Sequence, residues 1–313
     1  MLEFDVIADW ALNKSCNFSC PYCFVSAREK RRAANRGHDV QEIVDAFNNS
    51  GKTWLVHMSG GEPFLHTDFI CLCKGLTEKH SISVNSNLSS SLVYDFCEHI
   101  DPQRVSFVHC SLHIVERERK NLVNDFIEKV KVLEQAKFNV FITQVMWPPV
   151  VETFRQVSDF FSKHGMCVRP KLFRGYYKGK EYPGSYSQIE KNTILDFMQM
   201  ARENTRPDAT ERHINPDLDR MWIDGHVSFR GAPCLAGSRF VSIDLNGDIR
   251  RCGSDRTRLG NIYRGEFDLL KEAHPCRARI CGCPYHGVLF SSGTHRIVKN
   301  RIPVLLRQML DKI

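Results

Sequence analysis

The sequence predicts an α/β fold. Its main part is a six-stranded parallel sheet, curled into a partial barrel or open, with a smaller unit after it. Three observations lead there. Short apolar runs alternate with amphipathic stretches through residue 175. The unusual stretches of sequence fall directly after those runs. Beyond residue 230 the alternation gives way to a hairpin pattern and a cysteine-dense loop.

The strands are VIADWAL (6–12), TWLVHM (53–58), SISVNSN (81–87), RVSFVHCSL (104–112), FNVFITQVM (138–146) and CVRPKLF (167–173). Helices lie between them. DVQEIVDAFNNSG (39–51) opens on an acid and stops at Gly51, as a capped helix does. LVNDFIEKVKVLEQA (122–136) places Phe126, Val130 and Leu133 on one face, and TFRQVSDFFSKHG (153–165) ends at Gly165. Strands alternating with helices imply a parallel sheet. In either sheet form, ligands belong at the C-terminal strand ends. The stretch RGYYKGKEYPGSYS (174–187) reads as a long loop, and a helix follows over 188–204. RFVSIDLNGDIRRCG (239–253) is a hairpin around Asn246-Gly247, a favoured two-residue turn. The expected divisions are 1–187, 188–230 and 231–313.

Composition excludes several function classes. Hydrophobic residues make up 42% and charged ones 25%, as in globular proteins. No run of 18 apolar residues appears, so no membrane partner is expected. The N-terminus, with three acids before its first base, lacks a signal-peptide pattern, and a cytoplasmic location is expected. Thirteen cysteines in a reducing compartment point to metal binding or catalysis rather than disulfides. The net charge of +7 suits an anionic ligand or a mildly basic surface. No basic stripe with interleaved aromatics occurs, so nucleic acid is not an expected partner.

After the first strand comes SCNFSCPYC (15–23), with Cys16, Cys20 and Cys23 spaced C-x3-C-x2-C. Structural zinc wants four ligands, and the next candidate, His38, is distant and unpaired. An iron–sulfur cluster on three thiolates leaves one iron open to a substrate or cofactor. SGGEPF (59–64) follows strand two, NSNLSS (85–90) ends strand three, and SLH (111–113) ends strand four.

The triplet, with Tyr22 before its last cysteine, and the GGEP stretch at the next strand end resemble the radical S-adenosylmethionine (radical SAM) superfamily. The resemblance implies a partial (βα)6 TIM-like barrel and a [4Fe–4S] cluster whose open iron chelates SAM. One electron then cleaves SAM to methionine and a 5′-deoxyadenosyl radical, which takes a hydrogen atom from the substrate. It also implies an electron donor such as flavodoxin or ferredoxin. Gly60, Gly61, Glu62 and Pro63 match the SAM-binding motif, with Glu62 expected at the SAM amino group. Ser86 and Asn87 stand where the family contacts SAM, Ser111 where it meets the ribose, and His113 on the same strand face by period two.

Cys234 and Cys252, with Gly247 between them, and then Cys276, Cys281 and Cys283 resemble the SPASM/Twitch extension. This implies a second, auxiliary [4Fe–4S] cluster in a small C-terminal domain containing the β-hairpin. Cys234, Cys252 and two of the last three cysteines would hold it, and zinc is the alternative. Cys71, Cys73, Cys97, Cys110 and Cys167 read as fillers, Cys110 facing away from the lumen.

Relatives acting on peptides commonly carry a leader-binding domain before the barrel, for which this chain leaves no room. A small polar substrate is therefore expected: a sugar, aminocyclitol, nucleotide or nucleotide sugar. Gln144, Lys171, Arg174 and Tyr177 are expected to line its pocket. A peptide (RiPP) maturase and an electron carrier without SAM chemistry are the alternatives.

Overall fold

The computed structural model describes residues 4–32, 39–203, 217–223, 229–278, 281 and 283. Six parallel strands stand in chain order: β1 (Val6–Asn13), β2 (Trp54–Gly60), β3 (Ser81–Ser86), β4 (Val105–Ser111), β5 (Val140–Met146) and β6 (Val168–Leu172). Between them run α1 (Ala27–Arg32), α2 (Val40–Asn49), α3 (Phe69–Thr77), α4 (Leu92–His99), α5 (Ile114–Lys120), α6 (Val123–Gln135), α7 (Pro148–Val151) and α8 (Phe154–Ser162). Helix α2 is capped as expected: the Asp39 carboxylate accepts from Gln41 N.

The strands alternate in the way a sheet covered on one face and hollow on the other requires. Val6, Ala8, Trp10 and Leu12 of β1 join the core packed by the helices. The intervening Asp9 faces a cavity, as do His57 of β2, Asn85 of β3, Ser111 of β4, Thr143 of β5 and Lys171 of β6. One cavity receives side chains from all six strands, so the sheet is curled. Cys110 is buried in the outer core, away from that lumen.

The region expected as a loop over 174–187 forms a small hairpin, β7 (Gly175–Tyr177) with β8 (Lys180–Tyr182). Lys178 and Gly179 turn it with positive φ. Helix α9 (Gln188–Glu203) follows, and α10 (Asp217–Ile223) comes after it.

The later strands extend the same sheet. β10 (Phe240–Ile243) pairs in parallel with β1, Ile7 opposite Phe240 and Trp10 opposite Ile243. β11 (Asp248–Arg250), β12 (Arg258–Asn261) and β13 (Glu266–Phe267) then add antiparallel, while β9 (Pro233–Cys234) pairs with β14 (His274–Pro275). The expected hairpin is present, but its turn is longer than two residues. Asp244 N bonds to Asp248 O around Leu245, Asn246 and Gly247, with Gly247 at φ 77. The Asp244 carboxylate accepts from the N–H groups of Asn246 and Asp248, which favours this three-residue form.

Candidate active site and auxiliary thiol centre

The cysteine loop leaves β1 and is tied down from several sides. Lys30 of α1 donates to Phe18 O at 2.8 Å, and the Glu116 carboxylate of α5 accepts from Ser19 N at 2.9 Å. Asn17 and Ser89 are hydrogen-bonded at 2.7 Å. Cys23 N bonds to Cys20 O, closing the turn that brings the last two thiols together. The Cys16 thiol accepts from Phe18 N at 3.5 Å and lies 3.8 Å from Asn87 Nδ2. Burial, and then the neighbouring Cys16 thiol, push the Cys20 thiol up to about 12, so thiolates here need a metal to hold their charge.

Gly60 and Gly61 run against that loop. Gly61 N donates to Asn13 O and Glu62 N to Ser15 O, both at 2.7 Å. A Cβ on Gly61 would stand 2.1 Å from Ser15 O, a backbone atom. Gly61→Ala must therefore displace the segment leading into Cys16. The expected result is a loss of roughly 1–3 kcal/mol and reduced iron uptake, read by thermal melting and iron analysis.

Glu62 does not face the cavity as expected. Its carboxylate is fully buried and accepts from Ser86 Oγ (2.7 Å), Asn87 N (2.7 Å) and Phe64 N (3.1 Å). Burial raises its pKa while these three bonds oppose the rise. The side chain fastens the end of β2 to the end of β3, and buried Pro63 opens the 3₁₀ turn behind it. Arg117 does the same for β3 and β4. Its guanidinium lies over the Phe126 ring at 4.0 Å and donates to Leu112 O and Asn87 O.

Gly60, Gly61, Ser86, Asn87, Ser111 and His113 line one cavity of 1060 Å³ together with Cys16, Cys20 and Cys23. His113 arrives there differently from the expectation. β4 ends at Ser111, and His113 takes a left-handed conformation (φ 48) ahead of α5. Its Nδ1 pairs with the Tyr22 hydroxyl at 2.7 Å.

Of the four expected pocket residues, Lys171 and Arg174 line the cavity and two do not. Gln144 is spent inside the wall: its Oε1 accepts from Ile114 N and its Nε2 donates to Val145 O, both at 2.9 Å. Tyr177 packs edge-on against Trp147 at 5.3 Å. Arg174 pairs with Asp219 of α10 at 2.6 Å and lies over Trp222 at 4.6 Å.

Several cavity residues escaped the sequence reading, although polar residues at every second strand position mark most of them. His57 contacts Ser83 at 2.9 Å, and His109 contacts Thr143 at 2.6 Å while stacking on Phe141. Burial first, against Lys171 and Ser59, raises the Asp9 carboxyl to about 6. Asn192, Asp196 and Gln199 of α9 complete the wall, where sequence suggested only a connecting helix.

Burial, aided by Lys171, lowers His57 to about 3. The unfolded chain binds this proton below about pH 6.5 and the folded one does not, so His57 erodes stability as pH falls from about 6.5 toward 3, by up to roughly 1.4 kcal/mol per unit. His57→Gln should lose less melting temperature than the parent between pH 6.5 and 5. Equal losses would remove His57 from the acid response.

The second thiol group surrounds a separate apolar cluster of Ile7, Leu55, Phe229, Cys234, Ala236 and Phe240, against which Cys252, Cys276, Cys281 and Cys283 pack. Ile7 and Leu55 share the inner face with Asp9 and His57 by period two, one layer farther from the cysteine loop. Burial raises Cys234, Cys276 and Cys281, and each also feels the Cys252 thiol. Cys283 offers its backbone N–H to the Cys281 thiol. Among the described residues, no three thiols have sulfurs mutually within 4.8 Å. Tetrahedral zinc with bonds of about 2.3 Å holds its sulfurs about 3.8 Å apart. Thiols gathered on one apolar cluster could hold either a zinc ion or an iron–sulfur cluster.

Residues 11–161 match the family model described as the radical SAM superfamily. They form a radical SAM domain. The AdoMet-dependent heme synthase of Nitratidesulfovibrio vulgaris is 21% identical over 316 aligned positions, 89% of this chain and 84% of that protein. A probable GTP 3′,8-cyclase of Saccharolobus islandicus is 24% identical over 126 residues, 40% of this chain, and the match spans 41% of the cyclase's length. Among solved structures, anSMEcpe with bound AdoMet has a TM-score of 0.57 at 16% identity, covering 83% of this chain and 75% of that one. Streptococcus suis SuiB bound to its precursor peptide SuiA has a TM-score of 0.56 at 17% identity, covering 92% and 67%. These two share their fold with most of this chain. No helix among the described residues is long and apolar enough to cross a membrane.

Proposed function

We propose that this protein is a radical SAM enzyme that cleaves SAM reductively and takes a hydrogen atom from a small polar substrate, a sugar, aminocyclitol, nucleotide or nucleotide sugar. The observation that carries this is the convergence of exactly three cysteine thiols with Gly60, Gly61, Ser86, Asn87 and Ser111 on one cavity large enough for SAM and a substrate. Cys16, Cys20 and Cys23 would hold a cluster with an open iron, which would supply the electron for cleaving SAM. The chain's own residues position and enclose. Gly60 and Gly61 let backbone approach the cofactor, Ser86, Asn87 and Ser111 offer hydrogen bonds, and the six strands with α9 exclude water.

Cys234, Cys252, Cys276 and Cys281 would hold an auxiliary [4Fe–4S] cluster. Helix α10 connects that centre to the cavity: Asp219 pairs with Arg174 on the wall, while Trp222 donates to Cys281 O at 3.2 Å. A cluster so placed suits electron exchange with a bound substrate. The reading puts the protein in the cytoplasm with an electron donor of the flavodoxin or ferredoxin kind. The likeness to SuiB with its precursor peptide favours a peptide substrate as the second reading.

The test is anaerobic purification, reconstitution, iron analysis and incubation with SAM and dithionite, with and without candidate substrates. About eight irons and 5′-deoxyadenosine are expected, rising with the true substrate. Zinc in place of iron, with no SAM binding, would end the proposal.

A further inference from the structure

We propose that Arg169 and Lys171 form the phosphate-binding subsite for a phosphorylated substrate. This rests on reading the cavity as the substrate site, and it names the substrate class. On β6, Val168, Pro170 and Leu172 are buried, while the alternate residues Arg169 and Lys171 keep exposed surface and line the cavity. Two residues apart on one strand face, their Cα atoms lie about 7 Å apart. Like charges at that spacing on one wall of a cavity repel each other, and an anion bound between them relieves the repulsion.

The described residues do not provide one. Among the described residues, no carboxylate lies within ion-pair distance of either cation. Asp219 is already engaged by Arg174 at 2.6 Å and by Leu172 N at 3.2 Å. Asp9, across the barrel on β1, bears on Lys171 only through its field. The Arg169 guanidinium is held over the Phe141 ring at 5.6 Å, which fixes it while leaving its edge for hydrogen bonds. Lys171 is central: it bears on Asp9, His57, His109 and His113, groups contributed by three strands and the α5 entry. Water in the cavity reaches the ammonium, yet protein encloses it at depth, and burial lowers its pKa even against the two acids. The wall as a whole carries six Lys or Arg and three Asp side chains.

A phosphate ester fits this pair. It carries up to two negative charges and three terminal oxygens, enough to accept from a guanidinium edge and an ammonium together. A carboxylate would neutralise only one of the two cations.

The test is equilibrium dialysis of radiolabelled pyrophosphate against the reconstituted, SAM-loaded full chain, without reductant and at fixed ionic strength. Saturable binding is expected, with Arg169→Met and Lys171→Met each weakening it about tenfold or more. Arg169→Lys should retain part of the affinity, and Arg264→Met, at an exposed site, all of it. Melting temperatures report folding. If Lys171→Met does not fold, the comparison of Arg169→Met with Arg169→Lys decides. Acetate at equal concentration should fail to displace the probe. Absence of saturable binding, binding indifferent to both methionine variants, or displacement by acetate would each overturn the assignment. The 5′-deoxyadenosine assay is independent: pyrophosphate binding without any SAM cleavage would leave the subsite standing and remove the radical reading.

Discussion

Cys20→Ala is expected to halve the iron of the reconstituted protein, from about eight atoms to about four, and to abolish 5′-deoxyadenosine formation. The reason is ligand count. Cys16, Cys20 and Cys23 line the cavity; the nearby amides and hydroxyls are poor replacements for a thiolate at iron, and the His113 imidazole is engaged at Nδ1 by the Tyr22 hydroxyl. Two thiolates do not retain a four-iron cluster. Cys71→Ala, at an exposed thiol, is the matched control. Cys71 lies on α3, outside both thiol groups. That variant should keep about eight irons and its SAM cleavage. Iron analysis and product chromatography on the two proteins side by side decide the matter. A Cys20→Ala protein that still makes 5′-deoxyadenosine would remove these thiols from the chemistry.

Arg251→Met is expected to dismantle the auxiliary centre while leaving the barrel's cluster in place. Arg251 is 5% exposed and joins the three segments that carry Cys234, Cys252 and Cys276. Its Nε donates to Ala236 O at 2.9 Å, and its Nη1 to Pro275 O and the Asp255 carboxylate, both at 2.9 Å. Its Nη2 donates to His274 O at 2.6 Å and Cys234 O at 3.4 Å. Burial raises the Asp255 carboxyl, but hydrogen bonds from Thr257 and Arg251 outweigh it and keep the group below its ordinary pKa. Asp255 in turn sends its N–H to the Cys252 thiol at 3.2 Å. Removing the guanidinium leaves the buried Asp255 carboxylate with Thr257 but without the Arg251 cation, and several carbonyls without this donor, a loss of roughly 3–5 kcal/mol by comparison with other broken buried pairs. The iron count should fall to about four, with the remaining signal that of the SAM-binding cluster by electron paramagnetic resonance. Retention of all the iron would show that the thiol segments hold their places without Arg251.

Much of the architecture was legible because it depends on local periodicity. Each of the six strands was found within a residue or two, since one face must be apolar against helices and the other meets a lumen. The alternation that placed Cys110 outward and Ser111 inward held in the structure. The same alternation carried Asp9, His57 and His109 in plain view, but a polar residue inside a strand signals its face and not its neighbours. The turn at Asn246-Gly247 was misjudged in length because Asp244, two residues upstream, captures the N–H groups of Asn246 and Asp248.

By itself the sequence determined the six strands, the inward and outward faces, the two cysteine groups and the glycine pair beside the first of them. These follow from spacing along the chain, which backbone geometry converts directly into direction. Only the tertiary structure decided which polar side chains reach the cavity and which are consumed within its wall. Glu62 and Gln144 looked like ligand-binding groups, yet each is satisfied by backbone or hydroxyl partners, some local and others 24 to 30 residues away. Arg169 and Lys171 found no such partners among the described residues and remain turned into the lumen. A buried polar group takes whatever donors and acceptors the folded chain brings within 3 Å or so, and that inventory exists only once strands distant in sequence lie side by side.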